Sequence, residues 1–193
     1  MKLGEFFFKY RGVTPIPLVL VILYFAQPTP QSFLYGIGLM VLGEIIRIWG
    51  VSYAGGATRT REVGAPRLVT NGPFAHVRNP LYLGNMLMYT GAAIIPNVWT
   101  PLLIAIVWLY FGFQYYWIVR LEEEKLTELF GEEYLHYQKV VPRFFPRITP
   151  AQSQHPVRPN LWAALKSEKS TFLSFFTILI LFYVKMRFFT HPS

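Results

Sequence analysis

The sequence predicts an all-α fold: an integral membrane bundle of about five transmembrane helices, with a cytosolic-side amphipathic helix after the fourth. Three observations predict it. The 193 residues are 53% hydrophobic and 18% aromatic, with a mean hydropathy of +0.33, more apolar than an ordinary soluble domain. The apolar residues fall into five runs, 13–26, 32–51, 81–95, 98–121 and 171–184. Lys and Arg are abundant in alternate inter-run segments and missing from the others, as positive-inside orientation requires.

Each run is justified in turn. A helix needs roughly 20 residues, at about 1.5 Å each, to cross the hydrocarbon core. Runs two and four reach that length, whereas runs one, three and five need flanking residues or sit partly at the interface. Pro15 and Pro17 stand near the start of run one, where proline is tolerated. No A-x-A cleavage site follows "LYFAQPTP", so this run reads as a membrane helix rather than a signal peptide. In run two, Gly36, Gly43 and Gly50 recur on one helix face, a stripe that lets another helix approach closely. Glu44 and Arg47 lie one turn apart in the same run. They are either a structural pair near the cytosolic end or the mark of a site.

Run three opens with Asn79-Pro80. Asn is a good N-cap and Pro is favoured at the first helical position, so Asn79 is expected to cap and Pro80 to begin the helix. Run four continues into an amphipathic helix whose apolar side is Leu121, Leu126, Leu129 and Phe130, with Gly131 as its interruption. Beyond it, Tyr134, Tyr137, Val140 and Val141 are expected at the interface, with Arg143 behind them. Residues 147–160, rich in Pro, Gln and Ser, read as a linker. It joins a core of residues 1–146 to a C-terminal amphipathic and apolar helical segment, 161–193. Lys185 and Arg187 follow run five, which therefore spans, re-enters or lies on the surface.

The net charge is +8, with ten Glu and no Asp. Beside such apolar runs a basic balance points to anionic headgroups and the bilayer, not to nucleic acid. The absence of cysteine excludes disulfides, thiolate nucleophiles and Cys-ligated metals. His76, His136, His155 and His191 follow no metal-binding spacing, and no nucleophile-elbow motif occurs. Basic residues mark the N-terminus (Lys2, Lys9, Arg11), the 52–80 loop (Arg59, Arg61, Arg67, Arg78) and the 120–169 segment. All three are expected in the cytosol, with the chain in a bacterial inner membrane.

The start of run three has a second aspect. A helix N-terminus offers free N–H groups and a positive dipole, and Arg78 stands beside it. Together they suit a small carboxylate or phosphate at the cytosolic membrane surface. Glu122, Glu123 and Glu124 sit where run four leaves the membrane. They are either a solvated charge run or a contact for a cationic or hydroxylated ligand.

These two clusters together resemble a known family. "LVTNGPFAHVRNPLYLG" and "EEEKLTELFGEEYLHYQKVVPRFFP" are similar to the paired blocks of the isoprenylcysteine carboxyl methyltransferase and phospholipid methyltransferase superfamily. The resemblance covers about residues 66–146 and leaves 150–193 unexplained. It implies a membrane-embedded methyltransferase that uses S-adenosylmethionine without a Rossmann fold, acting on a lipid or amphiphilic acceptor. It implies that the cofactor is held by Pro66, Arg67, Leu68 and Val69, then Phe74, then Arg78, Asn79, Pro80, Leu81 and Tyr82, with Glu122 and Glu123. Arg120, Tyr137 and Arg143 are the expected acceptor contacts, and Tyr82, Glu123 and Arg143 the candidate catalytic groups. Three positions depart from the pattern: Asn79 replaces a histidine, Phe74 a tyrosine, and Ile118 an arginine that contacts substrate in the prenylcysteine enzymes. The alternatives are a membrane reductase using NADPH, with a sterol-reductase-like layout, and an inactive homologue. Neither the acceptor nor the oligomeric state follows from the sequence.

Overall fold

The computed structural model describes residues 3–10, 12–55 and 66–189; Lys2, Arg11, Arg59, Arg61 and His191 lie outside them. Among the described residues the chain is helical, with no strand. The helices are α1 (Leu3–Tyr10), α2 (Ile16–Phe25), α3 (Pro30–Ala54), α4 (Pro80–Ile94), α5 (Thr100–Val140), α6 (Leu161–Ser167) and α7 (Lys169–Phe188). By length and composition, α3, α5 and α7 are long and apolar enough to cross a membrane. The 10 residues of α2 and 15 of α4 fall short of that length.

Helix starts follow local chemistry. A capping box between Thr29 and Ser32 opens α3, with Pro30 in its first turn. Pro80 opens α4 as expected, but Asn79 does not cap it: the Asn79 side chain makes no capping bond and its Nδ2 instead donates to the Arg143 carbonyl at 3.1 Å. That bond orients the Asn79 amide toward the 141–147 stretch. Within α5, Gly131 has φ 51° and ψ −126°, so the helix bends there as its glycine predicts. After that bend Tyr134, Tyr137 and Val141 form a small cluster with Leu68, Leu126 and Phe130. Leu129, expected on the apolar side, is exposed.

The glycine stripe of α3 meets a second stripe on α4. A methyl group on Gly43 would stand 2.5 Å from the Gly84 carbonyl oxygen, and one on Gly84 2.6 Å from that of Gly43. Gly36 meets Gly91 in the same way, and Gly50 meets Leu81. The two backbones pack in direct contact along their length. Between α4 and α5, Tyr89 stacks on Phe111 with centroids 3.8 Å apart. Ile22, Met40, Ala93, Val107, Phe111, Tyr115 and Phe182 form one core drawn from five helices.

At one end of the bundle, the turns 26–29 and 95–99 are tied by Gln27 N–H to the Pro96 carbonyl and Ser32 Oγ to the Ile95 carbonyl. The opposite, polar end holds residues 66–79 and the non-helical stretch 141–160. The stretch expected as a linker is bonded along its length to residues 70–78, running antiparallel to them. Arg78 N–H donates to the Pro142 carbonyl, Arg147 to His76 and Ala151 to Ala75, while Asn71 exchanges two bonds with the Val157 backbone. This strap fixes Arg78 from the backbone side.

Candidate active site

A cavity of about 1000 Å³ opens from the polar end into the bundle. That is the upper end of the roughly 300–1,000 Å³ typical of a small-molecule site. Its polar part is lined by Arg67, Leu68, Val69, Phe74, Arg78, Asn79, Pro80, Leu81, Tyr82, Glu122, Glu123, Tyr134 and Tyr137. Its deeper part is apolar, lined by Leu18, Ile22, Met40, Met88, Val107, Phe111 and the inner face of α7.

The two sequence blocks meet across this cavity. The first turn of α4 carries Tyr82, whose hydroxyl donates to Glu122 Oε1 at 2.8 Å. One residue on, Glu123 is buried and sits between two arginines. Arg78 Nη1 lies 3.0 Å from Glu123 Oε1, and Arg143 donates to both carboxylate oxygens, from Nε at 3.0 Å and from Nη2. Such two-point pairing fixes orientation as well as charge. Another Arg78 nitrogen, Nε, is buried with no hydrogen-bond partner among the described residues. A buried guanidinium N–H of this kind calls for an acceptor. The first-turn N–H groups of α4, left uncapped by Asn79, add to the same positive end.

Two tyrosines close the polar part. Tyr137 donates to the Phe74 carbonyl at 2.8 Å, which holds the 72–75 turn against α5. Burial, with the Glu123 carboxylate adding to it and the Arg78 guanidinium opposing it, pushes the Tyr134 hydroxyl up to about 12. Burial pushes Tyr137 further still. Both hydroxyls are neutral at neutral pH.

Three expected residues stand elsewhere. Pro66 and Arg143 do not line the cavity, though Arg143 reaches it through Glu123. Arg120 faces outward and pairs with Glu124 at 3.2 Å, both side chains more than half exposed. On α5 the inward stripe runs Tyr115, Ile118, Val119, Glu122 and Glu123, and the helical phase sends Arg120 and Glu124 the other way. Ile118 is fully buried in the core, so that departure from the family pattern is a packing residue here.

A second polar chain was not anticipated. Arg47 bonds both oxygens of Glu168, at 2.9 and 3.0 Å, and donates to Asn85 Oδ1. Asn85 Nδ2 donates to Tyr115 Oη at 3.0 Å, and the Tyr115 ring lies 4.5 Å from that of Tyr82. Glu44, the partner expected for Arg47, is at 3.6 Å. Part of this chain carried a sequence signal. Tyr82, Asn85 and Tyr89 recur at helical spacing inside an apolar run, which marks one inward polar face. Among the described residues no group of His, Asp and Glu is placed to hold a metal ion.

Comparison with known proteins shows what the chain is similar to. The profile of the phospholipid methyltransferase family matches residues 32–133. The chain is 31% identical over 115 residues to the nickel-cobalt-cadmium resistance protein NccN of Alcaligenes xylosoxydans xylosoxydans, covering 60% of this chain and 50% of that protein. It is 30% identical over 114 residues to the cobalt-zinc-cadmium resistance protein CzcN of Cupriavidus metallidurans, covering 59% and 47%. It is 31% identical over 119 residues to the protein-S-isoprenylcysteine O-methyltransferase of Schizosaccharomyces pombe, covering 58% and 48%. The chain thus spans about half the length of these relatives. No solved structure matches it significantly.

Proposed function

The chain belongs to the phospholipid methyltransferase family, and from that premise we propose that it moves a methyl group from S-adenosylmethionine to a membrane amphiphile at the cytosolic face. The observation that carries this reading is the meeting of Arg78, Tyr82, Glu122 and Glu123 at the polar mouth of one cavity. The residues present fit the cofactor. Arg78 Nε and the uncapped start of α4 suit its carboxylate. Glu122 suits its ammonium or ribose hydroxyls, and Leu68, Val69 and Phe74 offer an apolar bed for the base. Bound there, S-adenosylmethionine supplies an electrophilic methyl group carried on a sulfonium.

The protein's part is then mainly placement and exclusion of water. Arg78 and Arg143 neutralise Glu123, which makes Glu123 an anchor rather than a base. Glu122 is the carboxylate left facing the cavity, and through Tyr82 it is the group placed to take a proton from an amine acceptor. A carboxylate acceptor needs no base. The clustering of Lys and Arg at the polar end supports reading this mouth as cytosolic and the chain as one of a bacterial inner membrane.

The test is transfer of labelled methyl from S-adenosylmethionine to a total lipid extract by the purified protein in nanodiscs. The expected result is a labelled lipid whose formation drops severely in Arg78→Ala. Tight NADPH binding without any labelled lipid would favour the reductase alternative instead.

A further inference from the structure

The family profile stops at residue 133, yet α7 lines the cavity along much of its length. Only Phe182 of its 20 residues is buried. The helix is fastened at its ends. At the polar end Glu168, fully buried at the α6–α7 junction, pairs with Arg47 of α3. At the other end Lys185 donates to the Tyr24 carbonyl at 3.0 Å and Tyr183 packs on Phe33. Between these fastenings, Leu173 and Thr177 apart, its cavity-lining residues grade from Ser170, Thr171 and Ser174 near the polar mouth to Phe175, Ile178 and Phe182 deeper in. The opposing wall grades the same way, from Arg47 and Asn85 to Met40 and Ile22.

We propose that α7 is the acceptor-selecting wall of the site, that the occupant is a bilayer amphiphile whose hydrocarbon chain lies along Phe175, Ile178 and Phe182, and that Glu168 and Arg47 are the positioning residues that set its seat. The gradient matches one molecule with a polar head and an apolar tail. α3, α5 and α7 are all of spanning character, so the gap beside α7 faces acyl chains rather than water. An ion pair at this depth holds its geometry firmly because separating it leaves bare charge in a poor solvent. It therefore fixes the polar end of α7 against α3, and Arg47 in turn orients Asn85 and the Tyr115 ring beside Tyr82. This inference rests on the methyltransferase reading for the identity of the reaction, but not for the position of the chain.

The test uses the full chain in nanodiscs with a photoreactive amine carrying a hexadecyl chain, its crosslinks mapped by mass spectrometry. Labelling of Phe175, Ile178 or Phe182 that an excess of unlabelled hexadecylamine removes is the expected result. Labelling confined to the outward Phe176 and Ile180 overturns the proposal. Glu168→Gln is expected to reduce inner-face labelling about tenfold while Glu168→Asp keeps most of it; equal labelling in all three removes Glu168 from the role. Should Glu168→Gln fail to fold, Ile178→Trp decides: it should shift preference from hexadecyl to decyl probes, and an unchanged preference counts against the wall. S-adenosylmethionine titrated into the same samples separates the two readings. Inner-face labelling without cofactor binding defeats the methyltransferase reading alone, and cofactor binding without inner-face labelling defeats this one alone.

Discussion

Arg78 has one guanidinium nitrogen on Glu123 and another buried without a partner, while the strap fixes its backbone. Replacing it by alanine should cost the charge-assisted bond to the cofactor, about 1.5–3 kcal/mol, or roughly ten- to a hundredfold in affinity by calorimetry. Tyr82→Phe removes a hydrogen bond to Glu122 and should lower the methyl-transfer rate more than cofactor affinity, read as separate kcat and binding constants. Tyr134 gives a pH prediction. Its folded value is raised, so its neutral form stabilises the fold fully below the ordinary tyrosine value of about 10. That contribution is lost as pH rises from about 10 through about 12. Melting of Tyr134→Phe should therefore fall less steeply than wild type across that window, and parallel curves would count against it. At this scale the helix start at Pro80 was legible because its signal is local. Two features were not. Asn79 bonds a carbonyl 64 positions away instead of capping its own helix, and Glu168 reaches Arg47 across 121 positions; no local pattern encodes either.

The α3–α4 contact is the element on which the site's geometry depends, because α4 carries Tyr82 and α3 carries Arg47. Gly43→Leu would drive a side chain into the Gly84 backbone, where neither helix can yield without moving the other. Overpacking of this kind costs about 1–3 kcal/mol and should appear as a lower melting temperature in detergent. Gly38→Ala, with open space around it, should change nothing. The Gly36–Gly43–Gly50 stripe was legible from spacing. Its partner stripe, Gly84 and Gly91, is equally periodic, but spacing does not say which stripe meets it. The bend at Gly131 was legible because few other residues tolerate such a backbone. Residues 147–160 of the strap read as a linker because Pro, Gln and Ser signal irregular backbone. Composition does not reveal where such backbone finds its partners.

For the molecule as a whole, the all-helical membrane architecture was legible from hydropathy alone, whereas α7 as a wall of the cavity was not. Apolar runs disclose length, not which face meets which neighbour. Orientation is testable because the chain has no cysteine. A single cysteine at Ser153 in the strap should react with an impermeant maleimide only in inverted vesicles, and one at Asn97 only in right-side-out spheroplasts; the reverse pattern would place the mouth outside. The central claim, one cofactor site built at the start of α4, is tested most directly by titrating S-adenosylmethionine into the purified protein in nanodiscs beside Arg78→Ala and Arg120→Ala. The account predicts binding to wild type, at least about tenfold weaker binding to Arg78→Ala, and unchanged binding to Arg120→Ala, whose side chain faces away from the cavity. Equal binding by all three, or binding only of NADPH, would contradict it.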